Sequence, residues 1–268
     1  MDQEDWPYVE DTMNVGLFIP CYIDQFYPRT GIATYEVLRR LGLEVDYPVR
    51  QTCCGQPVAN AGFAFFGGDA LRLFAENFKQ YDYIVAPSGS CVLHVKEHIA
   101  RFTDKVTAEK IRTSLYEFCE FLTDVIAYQG NGTSFPYKVG LHAGCHGVRG
   151  LRLSKASELH APDYNKPRSL LQKIKDLQLV ELDRPDECCG FGGTFAVTEE
   201  AVSVRMGEDR IDDHVSHGAE IIAGTDMSCL MHLEGILRRR RLDVRVMHIA
   251  EILNEAWQAH EQSDTQKV

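Results

Sequence analysis

The chain has 268 residues, a formal net charge of −11, 44% hydrophobic residues and 25% charged ones. This is the composition of a globular protein with a sizeable buried core, and its negative balance argues against nucleic acid or anionic lipid as a direct partner. No apolar run reaches the roughly 18 residues that a membrane helix needs, so any membrane association is expected to be peripheral and made through partners. The opening MDQEDWPYVEDT is acidic and resembles neither an export signal nor a basic transit peptide. A cytoplasmic, reducing compartment is the expectation, in which the nine cysteines point to metal binding or redox work rather than to disulfides.

In chain order, Asn14 to Pro20 reads as a short strand ending at Cys21. Ile32, Tyr35, Leu38 and Leu41 recur at helical spacing, and Gly42 stops that helix. Leu43 to Val49 alternates like a strand and leads into Cys53-Cys54-Gly55. One helix is expected from about Ala59 to Lys79. The strand Tyr83 to Ala86 then precedes Pro87-Ser88-Gly89-Ser90-Cys91 and another helix, with Cys119 inside a helix. Gln129 to Pro136 is a linker. Beyond it the order repeats: a strand from Lys138 to Ala143 near Cys145, a strand from Gln178 to Leu182, and Cys188-Cys189-Gly190. A helix follows from about Thr198 to His217, with Val204, Ile211 and Val215 on one side and Gly218 at its end. The strand Glu220 to Ala223 leads to Thr225-Asp226-Met227-Ser228-Cys229 and a helix. That helix ends in Arg238 to Arg241, read as a cationic helix end facing solvent. A last strand, Val244 to Ile249, and a helix to about His260 close the chain, leaving a frayed polar tail. Strand–helix alternation predicts α/β architecture with mostly parallel sheets, duplicated as two Rossmann-like halves at residues 1–130 and 131–268.

Both halves carry CCG and then SC-x-x-H, in the same order and each after a predicted strand. With the cysteine that precedes them in each half, Cys21 and Cys145, this pattern accounts for eight of the nine cysteines, and the remaining one, Cys119, reads as a small core residue. In an open parallel sheet, groups placed just beyond the strand ends converge on one crevice. Four soft thiolates there suit an iron–sulfur cluster or zinc, and thiol–disulfide exchange at the adjacent pairs is a further option. The glycine after each Cys-Cys pair permits the sharp turn that points both thiols inward. His94 and His232, three residues after their cysteines, and His142 and His146, flanking Cys145, are candidate extra ligands, proton relays or supporting donors. There is no Walker A string, no HExxH, no GxSxG and no dinucleotide fingerprint.

The strings GLFIPCYIDQFYP (Gly16 to Pro28), QTCCGQPVANAG (Gln51 to Gly62), APSGSC (Ala86 to Cys91), ECCGFGGTFAV (Glu187 to Val197) and DMSCLMH (Asp226 to His232) resemble the cysteine-rich CCG domain. That domain occurs twice in the cysteine-rich component of heterodisulfide reductase and in related iron–sulfur oxidoreductases. The resemblance covers about Met13 to Glu255. It implies one cofactor site at Cys21, Cys53, Cys54 and Cys91 and another at Cys145, Cys188, Cys189 and Cys229, each taking a [4Fe–4S] cluster, with zinc an option in one half. The first cysteine of the family's final Cys-x-x-Cys is replaced by Ser88 and by Asp226, leaving four thiolates per half; Asp226 reads as an oxygen ligand or as a helix cap. The implied activity is that of an electron-transfer subunit, acting with other iron–sulfur and accessory subunits in a complex that oxidises L-lactate to pyruvate. A zinc-stabilised scaffold of a redox complex and a thiol–disulfide reductase are the competing readings.

Overall fold

A computed structural model describes residues 13–265; the acidic opening segment lies outside them. The first half runs β1 (Asn14–Leu17), α1 (Cys21–Phe26), α2 (Pro28–Arg40), β2 (Glu44–Asp46), α3 (Gln56–Val58), α4 (Gly68–Phe78), β3 (Tyr83–Ala86), α5 (Gly89–His98), α6 (Lys105–Ser114), β4 (Leu115–Glu117) and α7 (Phe118–Glu120). The second half runs β5 (Lys138–His142), α8 (Lys166–Leu171), β6 (Gln178–Leu179), α9 (Phe195–Thr198), α10 (Glu200–Ser216), β7 (Ile221–Gly224), α11 (Met227–Arg240), β8 (Arg245–His248) and α12 (Ile249–Thr265). Each half builds a four-stranded sheet, in the orders β2-β1-β3-β4 and β6-β5-β7-β8, with every pairing parallel. The duplicated α/β halves expected from the sequence are therefore present. Strands β3 and β7 lie inside, and their apolar runs (Ile84, Val85, Ala86; Ile221, Ile222, Ala223) are wholly buried, as strands of a sheet covered on both faces require.

The differences from expectation have local causes. The helix expected over Ala59 to Lys79 is broken into a π-helical turn with Gly62 at φ +88°, a 3-10 turn over Ala64–Gly67, and α4, and the short α3 precedes it. Glycines there remove the side chains that would hold one continuous helix. The helix expected from Thr198 to His217 is α10, and a break at Glu199 (φ −123°, ψ 46°) separates it from the short α9 before it. On α2 the buried face is Ala33, Val37 and Leu38, whereas Ile32 and Tyr35 are exposed. Strand β4 has no counterpart in the sequence reading, and Cys119 sits in the short α7 just after it, fully buried. At the other end α12 continues to Thr265, past the expected stop at His260.

The two sheets share one hydrophobic core, in which Val15 and Leu17 of β1 and Val139 and Leu141 of β5 belong to the same cluster. Helix α12 crosses from the second half to pack on α2 of the first, where Arg40 bonds Asn254 Oδ1 (2.5 Å) and Glu261 Oε1 (2.9 Å). Near the strand tips the halves touch directly. Gly89 N–H donates to Thr225 O (3.2 Å), and Ser88 and Asp226 form an isolated antiparallel bridge. The carboxyl ends of the two sheets therefore look toward a common cleft.

Candidate metal centres

The strand order reverses between β1 and β3, and again between β5 and β7. At such a switch point neighbouring connections leave in opposite directions and open a crevice at the carboxyl ends of the strands. The cysteines sit there. Cys21 begins α1 after β1, Cys53 and Cys54 follow β2, and Cys91 lies in the first turn of α5 after β3. Gln51, which the sequence reading passed over, ties the Cys53 loop to β1. Its Oε1 accepts from Ile19 N–H (2.7 Å), and its Nε2 donates to Leu17 O (3.1 Å). The signal was its place two residues before the Cys-Cys pair, which periodicity does not mark.

The four thiols of the first half converge. Cys21 Sγ is 3.5 Å from Cys53 Sγ, and Cys54 Sγ is 3.2 Å from Cys91 Sγ. The thiols of Cys21 and Cys54 and the Gly55 N–H (3.4 Å) all point at Cys53 Sγ, which pushes its pKa down to about 2, while Cys21 and Cys54 are pushed up. The second half repeats this arrangement. Cys188 bonds Cys145 and Cys189 and receives the Gly190 N–H (3.4 Å), and its pKa falls to about 2 for the same reasons. Cys189 in turn bonds Cys229. In each quartet the neighbouring thiols and a backbone N–H thus favour the thiolate form of one cysteine, the form that binds metal, and all nine cysteines are free. Gly55 (φ +90°) and Gly190 (φ +88°) occupy the left-handed region that lets the two adjacent thiols turn inward. Ser203 Oγ holds the second turn by donating to Gly190 O (2.8 Å).

Both quartets border one cleft. Its walls include Cys21, Cys54 and Cys91 from one half and Cys145, Cys188, Cys189 and Cys229 from the other, with Ser90, His146 and Asp226 between them. Asp226 caps α11 by accepting from Ser228 N–H (3.1 Å) and reaches across to Ser90 N–H (2.7 Å). Cys119 lies in the core, apart from both groups.

The histidines divide. His94 lies beside Gly55 and stacks on His98 (4.4 Å between ring centroids), and burial lowers its pKa to about 4. His232 Nε2–H donates to Ser203 O (3.2 Å) under the second CCG turn. These two residues support the turns from equivalent positions. His146 Nδ1 is 3.8 Å from Cys145 Sγ. His142, at the end of β5, is 2% exposed and has no hydrogen-bond partner for either ring nitrogen among the described residues. One of those nitrogens stands within 4.8 Å of Cys189 Sγ and Cys229 Sγ. The donor chemistry of both sites, soft thiolates with backbone N–H groups aimed at sulfur, fits a thiophilic metal or an iron–sulfur cluster.

Residues 15–96 and 139–234 each match the cysteine-rich CCG domain. The chain is 38% identical over 246 residues to lactate utilization protein A of Bacillus subtilis, covering 90% of this chain and 99% of that protein. It is 40% identical over 248 residues to the protein of the same name from an Exiguobacterium species, covering 90% and 97%. Among solved structures, a hypothetical protein from Helicobacter pylori superposes with a TM-score of 0.59 at 12% identity over 92% of this chain. The chain spans about half of that molecule, 49%, and the likeness concerns the fold alone. With two matched copies of the domain and relatives aligned over nearly their whole length, the chain belongs to the CCG cysteine-rich domain family.

Proposed function

We propose that this protein is an iron–sulfur electron-transfer subunit of a complex that oxidises L-lactate to pyruvate. The observation that carries the reading is the convergence of two thiol quartets on one cleft. The name of the relatives, lactate utilization protein A, supplies the substrate. A [4Fe–4S] cluster in the first half, with a second cluster or a zinc ion in the other, would supply one-electron redox chemistry. The protein's own groups have other tasks. Cys21, Cys53, Cys54 and Cys91 hold one group and Cys145, Cys188, Cys189 and Cys229 the other, while the N–H groups of Gly55 and Gly190 favour the charged sulfurs and so tune the potential. Among the described residues no helix is long and apolar enough to cross a membrane. The other subunits would meet this chain at the loops beside the cleft, where Phe63, Phe65 and Phe66 are exposed.

Zinc in the second half is the reading that the His142–Cys189–Cys229 grouping favours, because a mixed nitrogen–sulfur set on one ion is common for zinc. Anaerobic purification with iron, zinc and acid-labile sulfide analysis tests both. A brown protein is expected that loses about half of its metal when Cys54 or Cys189 is replaced by Ala. A preparation that stays colourless and iron-free after cluster reconstitution would overturn the electron-transfer role, and bound zinc without sulfide would establish the scaffold reading. For the substrate, L-lactate should bleach the visible absorbance only when the partner subunits are present.

A further inference from the structure

The two halves are nearly superimposable in sequence at the first strand, and they differ at one telling position. Val15-Gly16-Leu17-Phe18 leads to Cys21, and Val139-Gly140-Leu141-His142 leads to Cys145. In the first half Tyr81 packs against Gly16, and Phe18 stacks edge-on with Phe74 (4.9 Å) and Phe78 (5.7 Å), so that face of the sheet is aromatic and dry. In the second half His214 packs against Gly140, and His142 stands where Phe18 would be. A buried imidazole whose two nitrogens are both unmet is costly, and native structures rarely leave such groups unused. The first half shows that this fold accepts phenylalanine there, so packing alone does not call for histidine. His214 is also without a ring partner among the described residues but joins no group of sulfurs. His142 does, with Cys189 and Cys229.

We propose that His142 is a metal ligand of the C-terminal centre, its imidazole joining Cys189 and Cys229 on one divalent ion, so that this centre has a mixed nitrogen–sulfur donor set while the N-terminal centre is all-thiolate. The inference rests on the reading that the quartets hold metal. Geometry supports it. Ligands on one tetrahedral ion with metal–sulfur bonds of about 2.3 Å and metal–nitrogen bonds of about 2.0 Å stand roughly 3.5–3.8 Å apart, and the three donor atoms already lie within 4.8 Å of one another. Cys188, hydrogen-bonded to Cys189, lies next to this group but outside it. Exchanging a thiolate for a neutral imidazole reduces the negative charge around a metal, which raises its potential or favours a redox-silent ion. The two centres are thus chemically unequal despite their common origin.

The test uses the full chain with Cys53 and Cys54 both replaced by Ser, which silences the N-terminal centre. The reduced apoprotein is titrated anaerobically with Co²⁺ alone, and the thiolate-to-metal and ligand-field absorption bands are followed. One equivalent should bind. His142→Phe, which copies the other half and preserves the fold, should weaken binding at least tenfold and shift the ligand-field bands; His142→Gln should do the same, so the loss does not depend on one substitution. Unchanged affinity and bands in both variants would overturn the ligand role while leaving the thiol quartet as the metal site. No Co²⁺ uptake by the parent carrying His142 would overturn the ligand role together with the metal reading of that quartet.

Discussion

Asp226 Oδ2 accepts a hydrogen bond from the backbone N–H of Ser90 at 2.7 Å, so the residue that caps the cysteine-bearing helix of the second half also holds the corresponding helix of the first. Its other oxygen accepts from Ser228 N–H (3.1 Å) and Ser228 Oγ (2.6 Å). At the equivalent position Ser88 caps α5 through Cys91 N–H (3.4 Å). The two positions that replace the family's extra cysteine thus form the joint between the halves, and one carboxylate serves both cysteine-bearing helices.

Replacing Asp226 with Ala should therefore cost more than loss of a cap. A cap is worth about 1 kcal/mol, and a buried hydrogen bond to a charged group about 1.5–3 kcal/mol. The expected loss is about 2–4 kcal/mol in urea unfolding, against about 1 kcal/mol for Ser88→Ala. Asp226→Asn, which keeps one acceptor oxygen, should fall between them. Equal losses at the two positions would show that the contact to Ser90 contributes nothing.

The second CCG turn offers a sharper contrast. A side chain at Gly190 would stand 2.6 Å from Ser203 O and 2.7 Å from Met206 Cβ, with φ already at +88°. Gly218 has φ +75° and nothing within 4 Å. Gly218→Ala should cost about 1–2 kcal/mol, the strain of a left-handed residue alone. Gly190→Ala must also displace the turn that carries Cys188 and Cys189. It should destabilise more and lower the metal content of the C-terminal centre, read by metal analysis in a background lacking Cys54. Full metal retention would mean that the turn adapts without moving its thiols.

The duplication was legible because strand–Cys and strand–CCG strings repeat in order, and the parallel sheets followed from strand–helix alternation. Strand β4 was not, since Leu115-Tyr116-Glu117 is three residues long with helices on either side; alignment of the halves on β8 would have revealed it. From Ala59 to Lys79 apolar spacing predicts one helix, and it outweighs the glycines that break it. The positions of the eight cysteines were plain, but the bridge from Asp226 to Ser90 and the anchoring by Gln51 depend on which loops meet in space. That information lies in tertiary packing, and no local pattern carries it.

Arg40 tests how firmly the halves are joined at the far end. Its guanidinium bonds Asn254 (2.5 Å) and Glu261 (2.9 Å) on α12 and lies 5.9 Å from the centroid of Trp257. Asn254 is buried, but Glu261 is exposed, so screening keeps the ion pair small, and the stem's packing adds to it. Arg40→Ala should lose about 1–2 kcal/mol in chemical denaturation. Because one hydrophobic core runs through both sheets, the transition should remain single. Two resolved transitions in the variant would show that α12 alone couples the halves.

Glu117 gives a pH dependence with a definite sign. It ends β4 at the level of Ala86, in the place that His248 takes at the level of Gly224 in β8. It is fully buried; Oε2 accepts from Cys119 N–H (2.7 Å) and Glu120 N–H (3.2 Å), and Oε1 has no partner among the described residues. Burial raises its pKa from 4.5 to about 8. Between those values the folded chain keeps a proton that the unfolded chain has released. Its contribution to stability is therefore complete below 4.5 and is lost as pH rises toward 8, by at most about 1.4 kcal/mol per pH unit. His248, lowered by burial to about 4, works in the opposite direction, removing stability as pH falls from 6.5 toward 4. Comparing the parent with Glu117→Gln cancels the histidine contribution. The variant should gain stability relative to the parent as pH rises across this window, measured by urea unfolding at several pH values. Parallel curves would mean that Glu117 is ionised in the folded protein, with its charge held by the two backbone donors alone.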